Sequence, residues 1–312
     1  MAVNDMADES IKQVLETYFV RGYCDNIETV NRYRREARKR FPDWLEFMES
    51  TTKIREQFTA DEIKQIAKGD RRQPTRKKAI SFSGEVFRFA HITDTHIGAV
   101  YFKGDIWDAV VSEINGSHID AVFHTGDVTE GLINSRTDMI YDATHIGYAQ
   151  QKDYAIELLS MIEPPIYAVD GNHDRFFKKS AGGCIVADIA REVEGMEYLG
   201  EDMADFAVNG SVIRLWHGED GSSYASSYRL QKLIEAFTGG DKPHVLLAGH
   251  THKSIYMFER NIHVVSGGAV TTQSNWMKRK RLANHTGFWI CEMTMNQRGI
   301  VKFTSTWYPF YK

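Results

Sequence analysis

The sequence predicts a layered α/β domain preceded by a small all-α domain. Three observations carry this expectation. The first 68 residues repeat apolar side chains at helical spacing, whereas from about residue 85 apolar runs of strand length alternate with helical stretches such as 105–115 and 145–162. Five of those runs end in a cluster of polar side chains.

A chain of 312 residues can bury one large core or two smaller ones. With 42% hydrophobic and 26% charged residues the composition is that of an ordinary globular protein. A net charge of −4 argues against a polyanion binder over the whole surface, but the charge is unevenly spread. Residues 1–80 carry 17 Lys and Arg against 14 Asp and Glu, and the remainder carries 21 against 28. Cys24, Cys184 and Cys291 are far apart with no CxxC spacing. That disfavours a disulfide framework or thiolate zinc site and suits a reducing compartment. No run of about 18 apolar residues and no signal-peptide core is found, so the expectation is a cytoplasmic protein with no membrane partner.

In the segment 1–68, Ile11, Val14, Leu15 and Tyr18 share one helix face and Gly22 ends the pattern. Asp25 or Asn26 can cap a second helix with Ile27, Val30, Tyr33, Ala37 and Phe41 on one side. Pro42–Asp43 starts a third, and Thr59 with Glu62 has capping-box spacing before "DEIKQIAK". The second helix places Arg32, Arg35 and Lys39 along one face, extended by Arg34 and Arg38. A helix, a Gly-containing turn and a basic second helix read as helix-turn-helix-like, so these five residues are candidate DNA contacts. The plainer reading is a solvated basic face. Residues 69–84, opening "GDRRQPTRKK", read as a linker, and 85–312 as the second domain.

The five runs are "VFRFAHITDTH", "DAVFHTGD", "PPIYAVDGNHD", "SVIRLWHGED" and "PHVLLAGHTH". Parallel strands bring their carboxyl ends to one edge, where ligands bind. Carboxylates, imidazoles and an amide without thiolate suit Mn²⁺, Fe, Zn²⁺ or Ni²⁺ better than Ca²⁺ or Mg²⁺. Seven side chains are too many for one tetrahedral ion and about right for two ions sharing a carboxylate, an arrangement known for phosphate-ester cleavage. Gly126, Gly171 and Gly249 are read as turns that aim these side chains.

The ordered series "DTH", "GD", "GNHD", "HGED" and "GHTH" resembles the calcineurin-like metallophosphoesterase superfamily, with all five blocks in order across roughly residues 88–270. The resemblance implies a two-sheet β-sandwich flanked by helices. It implies that Asp94, His96 and His252 hold one divalent metal and Asn172, His217 and His250 a second, with Asp127 bridging. It implies that His173 faces the substrate and that Asp174 orients it. His91, His118, His124, His145, His244, His263 and His285 fit no ligand slot, although His145 lies within reach of the site.

The resemblance leaves the ester open. "GNHDRFF" is the form commoner among phosphodiesterases and nucleases than the "GNHE" of phosphoprotein phosphatases, though Arg175 could bind a terminal phosphate. The run "WMKRKR" adds Trp276 for base stacking and Lys278 and Arg279 for phosphates. The resulting expectation is a dinuclear phosphodiesterase, a DNA nuclease using a metal-bridging hydroxide. The alternatives are a phosphomonoesterase on nucleotides, nucleic-acid ends or phosphoproteins, and a DNA-binding regulator with a vestigial site.

Overall fold

The structure is a computed structural model that describes residues 3–21, 26–55, 76–132, 137–219, 225–237, 242–296 and 299–310. Residues 1–74 and 75–312 form two compact units.

The first unit packs α1 (Val3–Arg21), α2 (Ile27–Arg40) and α3 (Pro42–Arg55). Asn26 caps α2, its Oδ1 accepting from the Glu28 and Thr29 amides at 2.8 and 3.3 Å. Ile11, Leu15 and Phe19 of α1 meet Val30 and Ala37 of α2 and Leu45 and Met48 of α3 in one buried cluster. The basic face of α2 is narrower than its sequence implies. Arg34 and Arg38 turn onto Glu49 of α3, at 2.7 and 3.1 Å, while Arg32, Arg35 and Lys39 remain exposed. The turn at Gly22 and the helix anticipated after Thr59 lie outside the described residues.

The second unit begins earlier than the sequence implies. Arg76–Ile80, assigned above to the linker, forms strand β1. It pairs in parallel with β6 (Met203–Val208), a backbone ladder to which any side chain can contribute. Lys78 adds an ion pair to Glu197 at 2.5 Å.

Two six-stranded sheets follow. One has the order β1-β6-β7-β8-β10-β9, with β7 (Ser211–Trp216), β8 (Val245–Ala248), β9 (Ser254–Glu259) and β10 (Ile262–Gly267). The other has the order β12-β11-β2-β3-β4-β5. Its strands are β2 (Val86–Ile92), β3 (Ala121–His124), β4 (Ile166–Asp170), β5 (Met196–Glu201), β11 (Gly287–Asn296) and β12 (Gly299–Pro309). β2 through β5 are mutually parallel, as are β7, β8 and β10.

Alternation along each strand builds the layers. Phe87 and Phe89 of β2, Phe123 of β3, and Val245 and Leu247 of β8 fill the space between the sheets with Phe206, Leu215 and Cys291. Ala90 and Ile92 face outward to helices α4 (Gly104–Gly116) and α5 (Tyr148–Leu159), against Trp107, Val110 and Leu159. On the other outer face Leu246 and Ala248 meet Leu230 and Ile234 of a helix at Tyr228–Ala236. Burial on both faces explains why these strands are continuous apolar runs. The architecture is the predicted two-sheet sandwich flanked by helices. No helix among the described residues is long and apolar enough to cross a membrane.

Candidate metal centre

The polar residues sit where the parallel strands stop: Asp94 and His96 after β2, Asp127 after β3, Asn172 after β4, His217 after β7, and His250 and His252 after β8. Five of these seven adopt left-handed backbone, with φ of 50° at Asp94, 46° at His96, 52° at Asp127, 72° at His250 and 54° at His252. Each such turn costs on the order of 1–3 kcal/mol, so the surrounding packing must over-determine it. Part of that packing is glycine. A Cβ on Gly126 would lie 2.7 Å from His217 Nδ1, and one on Gly171 would lie 2.7 Å from Asp127 Cγ and closer still to its carboxylate and amide. Only glycine lets the β3 and β4 ends approach this closely.

Ligand atoms gather into two main groups, Asp94 with His96 and His252, and Asp127 with His217 and His250. Asp127 Oδ2 lies 3.8 Å from His96 Nε2 and 3.3 Å from His217 Nε2, between the groups. Asn172 Oδ1 lies 3.0 Å from His217 Nε2. The seven predicted residues therefore converge. A third grouping, His96 with Glu130 and His173, shares a member with the first.

The far ring nitrogens are held in turn. His96 Nδ1 pairs with Glu130 Oε2 at 2.8 Å, His217 Nδ1 donates to the Thr125 carbonyl at 2.8 Å, and His252 Nδ1 pairs with Asn284 Oδ1 at 2.8 Å. A donor role at Nδ1 leaves the Nε2 lone pair facing inward, as metal-binding histidines require. Tyr101 donates to the same Glu130 oxygen. Glu130, Tyr101 and Asn284 are residues around the centre that sequence reasoning missed. Glu130 closes the "GDVTE" segment three residues after Asp127, a usable signal; Asn284 offers none.

These residues fit divalent cations. Asp94 Oδ2 accepts from Thr93 Oγ1 at 2.7 Å and the His250 amide at 2.9 Å, while Oδ1 is buried with His252 Nε2 3.3 Å away and has no hydrogen bond among the described residues. His96 Nε2 and His252 Nε2 face each other at 3.2 Å, an approach two lone pairs tolerate only with a proton or cation at hand. Burial alone would raise the pKa of Asp94 and Asp127, yet the neighbouring imidazoles hold both below the usual carboxylate range. Burial would lower the pKa of His217, but Asp127 pushes it up to about 10. Two buried anions thus demand positive charge beside them.

Two assigned roles need correction. Asp174 does not touch the His173 ring. Its carboxylate accepts from the amides of Val128, Thr129 and Gly171, at 3.1, 2.8 and 2.9 Å, and from Thr129 Oγ1 at 2.9 Å. As the first residue of α6 (Asp174–Ala181) it binds the turn that carries Asp127. His173 is held instead by the Glu130 carbonyl, 2.6 Å from Nδ1, while its own amide donates to Asp127 Oδ1 at 2.8 Å. Arg175 points away from the site. It is buried against Asp170 Oδ1 at 2.8 Å and reaches Glu219 at 3.0 Å, tying the end of β4 to its neighbours.

A cavity of about 820 Å³ opens over the ligands. His173 lines it, with Phe176, Met277 and Leu282 as apolar wall and Arg229, Lys253 and Arg281 as cations. Most of the "WMKRKR" run lies in a short helix (Asn275–Lys280) capped by Ser274, whose Oγ accepts from the Met277 amide at 3.2 Å. Trp276 faces the cavity and is 44% exposed, whereas Lys278 and Arg279 are exposed away from it; Arg281 takes their place. His145 stacks on Tyr154 with ring centres 4.1 Å apart and is no ligand. His91 and His124 are buried behind the turns, bonded to Thr125 and Thr95, and burial pushes both down to about 3.

Fold and centre together define a metal-dependent phosphoesterase. The family model of the calcineurin-like phosphoesterase superfamily domain matches residues 87–281, and the chain belongs to that superfamily. Similar solved structures include an archaeal phosphodiesterase, at 15% identity and TM-score 0.42, covering 71% of this chain and 100% of that one. They also include the phosphoesterase Yfce from E. coli, at 17% and 0.41 over 70% and 98%. Vps29 from Entamoeba histolytica complexed with Zn²⁺ is similar at 14% and 0.39 over 71% and 99%. No curated protein matches the chain.

Proposed function

We propose that the centre holds two divalent ions, Mn²⁺ foremost, and that the protein hydrolyses phosphodiester bonds in DNA. The observation that carries the dinuclear reading is the position of Asp127, whose Oδ2 stands within 3.8 Å of a histidine from each ligand group. Asp94, His96 and His252 would hold one ion, Asn172, His217 and His250 the other, and Asp127 both. When bound, such ions supply Lewis acidity to the phosphoryl oxygens and acidify water near the phosphorus.

The chain's own residues do the remainder. Burial would lower the pKa of His173, but the charges of Asp127 and Glu130 outweigh it and raise the pKa, which favours the protonated ring. With Nδ1 engaged by the Glu130 carbonyl, Nε2 is the nitrogen left to protonate the leaving oxygen.

The diester reading is supported by the engagement of Arg175 in internal ion pairs, which removes it as a dianion ligand. DNA is supported by Trp276 at the cavity and by exposed Arg32, Arg35 and Lys39 on the separate N-terminal unit. Free Cys184 and Cys291 accord with a cytoplasmic location. The second reading, a phosphomonoesterase, draws on Lys253 and Arg281 in the cavity lining. A complete ligand set argues against a vestigial site. Mn²⁺-supported turnover of a model diester, a model monoester, and single- and double-stranded DNA decides among these. Activity confined to the monoester would refute the diester reading. Replacing Arg32, Arg35 and Lys39 with alanine should weaken cleavage of long DNA and spare the model diester.

A further inference from the structure

The segment 284–286 follows the last motif by more than thirty residues and belongs to none of the five blocks. It nevertheless grips the metal centre at one ligand. Asn284 Oδ1 lies 2.8 Å from His252 Nδ1. The same amide's Nδ2 donates to the Thr271 carbonyl at 2.9 Å and to Thr286 Oγ1 at 2.9 Å. Both amide hydrogens are therefore spent on acceptors. Thr286 Oγ1 donates its own proton to the Thr271 carbonyl, at 3.0 Å, so it can only accept from Asn284. The orientation of the Asn284 amide follows from this network, with oxygen toward the imidazole, and His252 Nδ1 must be the donor.

The backbone of the ligand is held as well. The His285 amide donates to the His252 carbonyl at 2.8 Å, and the Ser254 amide donates to His285 Nδ1 at 3.0 Å. Residues 284 and 285 thus bracket a position held at φ 54°. The bracket is anchored in turn. The Ala269 amide donates to the His285 carbonyl at 2.9 Å, the Gly287 amide to the Ala269 carbonyl at 2.9 Å, and the Val270 amide to the Thr93 carbonyl at 3.1 Å. Thr93 bonds the Asp94 carboxylate, and Asp94 Oδ1 lies 3.3 Å from His252 Nε2. The contacts close a ring from Asp94 through His252, Asn284, residues 269–271 and Thr93 back to Asp94.

We infer that Asn284 is a positioning residue for the metal site of Asp94, His96 and His252, acting by holding His252 as its Nδ1–H tautomer with Nε2 toward the ion; this rests on the dinuclear reading above. A second-sphere partner of this kind typically accounts for about 10–100-fold in metal affinity.

Zn²⁺ titration against a competing chelator tests it on the full-length protein, with bound metal counted by elemental analysis. Asn284→Leu, nearly isosteric but without an acceptor, should weaken one of the two zinc sites about 10–100-fold and leave the other unchanged. Asn284→Asp, which keeps an acceptor oxygen, should recover most of that loss. Equal behaviour of the two variants, or wild-type affinity in both, overturns the inference. If Asn284→Leu fails to fold, nitrogen NMR of the zinc-loaded wild type still decides: a proton on His252 Nδ1 supports the assignment, and one on Nε2 refutes it. His252→Ala separates the two readings. Full retention of both zinc ions in that variant defeats the metal-site assignment itself, whereas loss of one ion there with none in Asn284→Leu defeats only the role of Asn284.

Discussion

Gly171→Ala tests whether close approach of two strand ends, rather than ligand identity alone, sets the proposed bridging position of Asp127. Gly171 has no left-handed φ to lose, so the added methyl acts through space alone. The new Cβ would stand 2.7 Å from Asp127 Cγ and nearer to Asp127 Oδ1 and N. Ordinary carbon contacts lie at about 3.5–4.0 Å, so Asp127 must retreat by about 1 Å. Two features resist that retreat: Asp127 sits at φ 52°, and Asp174 pins the two amides that follow it. Overpacking of this kind costs about 1–3 kcal/mol of stability. A displacement of about 1 Å at a reacting centre costs on the order of 100-fold in rate. Turnover of a model diester at saturating Mn²⁺ should therefore fall about 100-fold while the protein still melts cooperatively. Unchanged turnover with unchanged metal content would refute the claim that contact between the Gly171 backbone and Asp127 sets the position of that carboxylate.

Other outcomes follow from the same geometry. Asp127→Asn should abolish turnover and lower bound metal with the fold intact by circular dichroism; retained turnover sinks the dinuclear assignment. His173→Ala should keep its metal and lose about 10²–10⁴-fold in rate, and metal lost with the imidazole would make it a ligand instead. Arg175→Ala should lose about 3 kcal/mol or more in denaturant unfolding, because Asp170 is left buried without its partner, while KM for a model diester stays put. In the chelated protein, burial disfavours charge on His217, but Asp127 raises its pKa to about 10 against about 6.5 in the unfolded chain. The folded form then binds that proton more tightly. This contribution is full below about pH 6.5 and is lost as pH rises toward 10, so chelated protein should melt progressively lower across that window. Divalent metal, which takes the proton's place, should flatten the profile.

What the amino-acid order determined by itself was the converging set of polar side chains and the layering. Side chains that meet at one sheet edge must stand at the strand ends, so Asp94, His96, Asp127, Asn172, His217, His250 and His252 are visible as polar ends to apolar runs. Strands buried on both faces and helices with one apolar stripe are equally visible, which made the layered architecture legible. Tertiary structure alone decided who supports whom. Asp174 and Arg175 follow His173 directly, yet on a helix successive residues point about 100° apart, and both turn from the cavity. Arg281 rather than Lys278 or Arg279 lines it, because it follows the end of a short helix at φ 56° and leaves the helical direction. Strand β1 was hidden because its ladder uses backbone groups common to every residue. Asn284 was hidden because a single amide carries no periodicity, and its partner His252 lies 32 residues away, with the antiparallel pair of β9 and β10 between them returning the chain to the site.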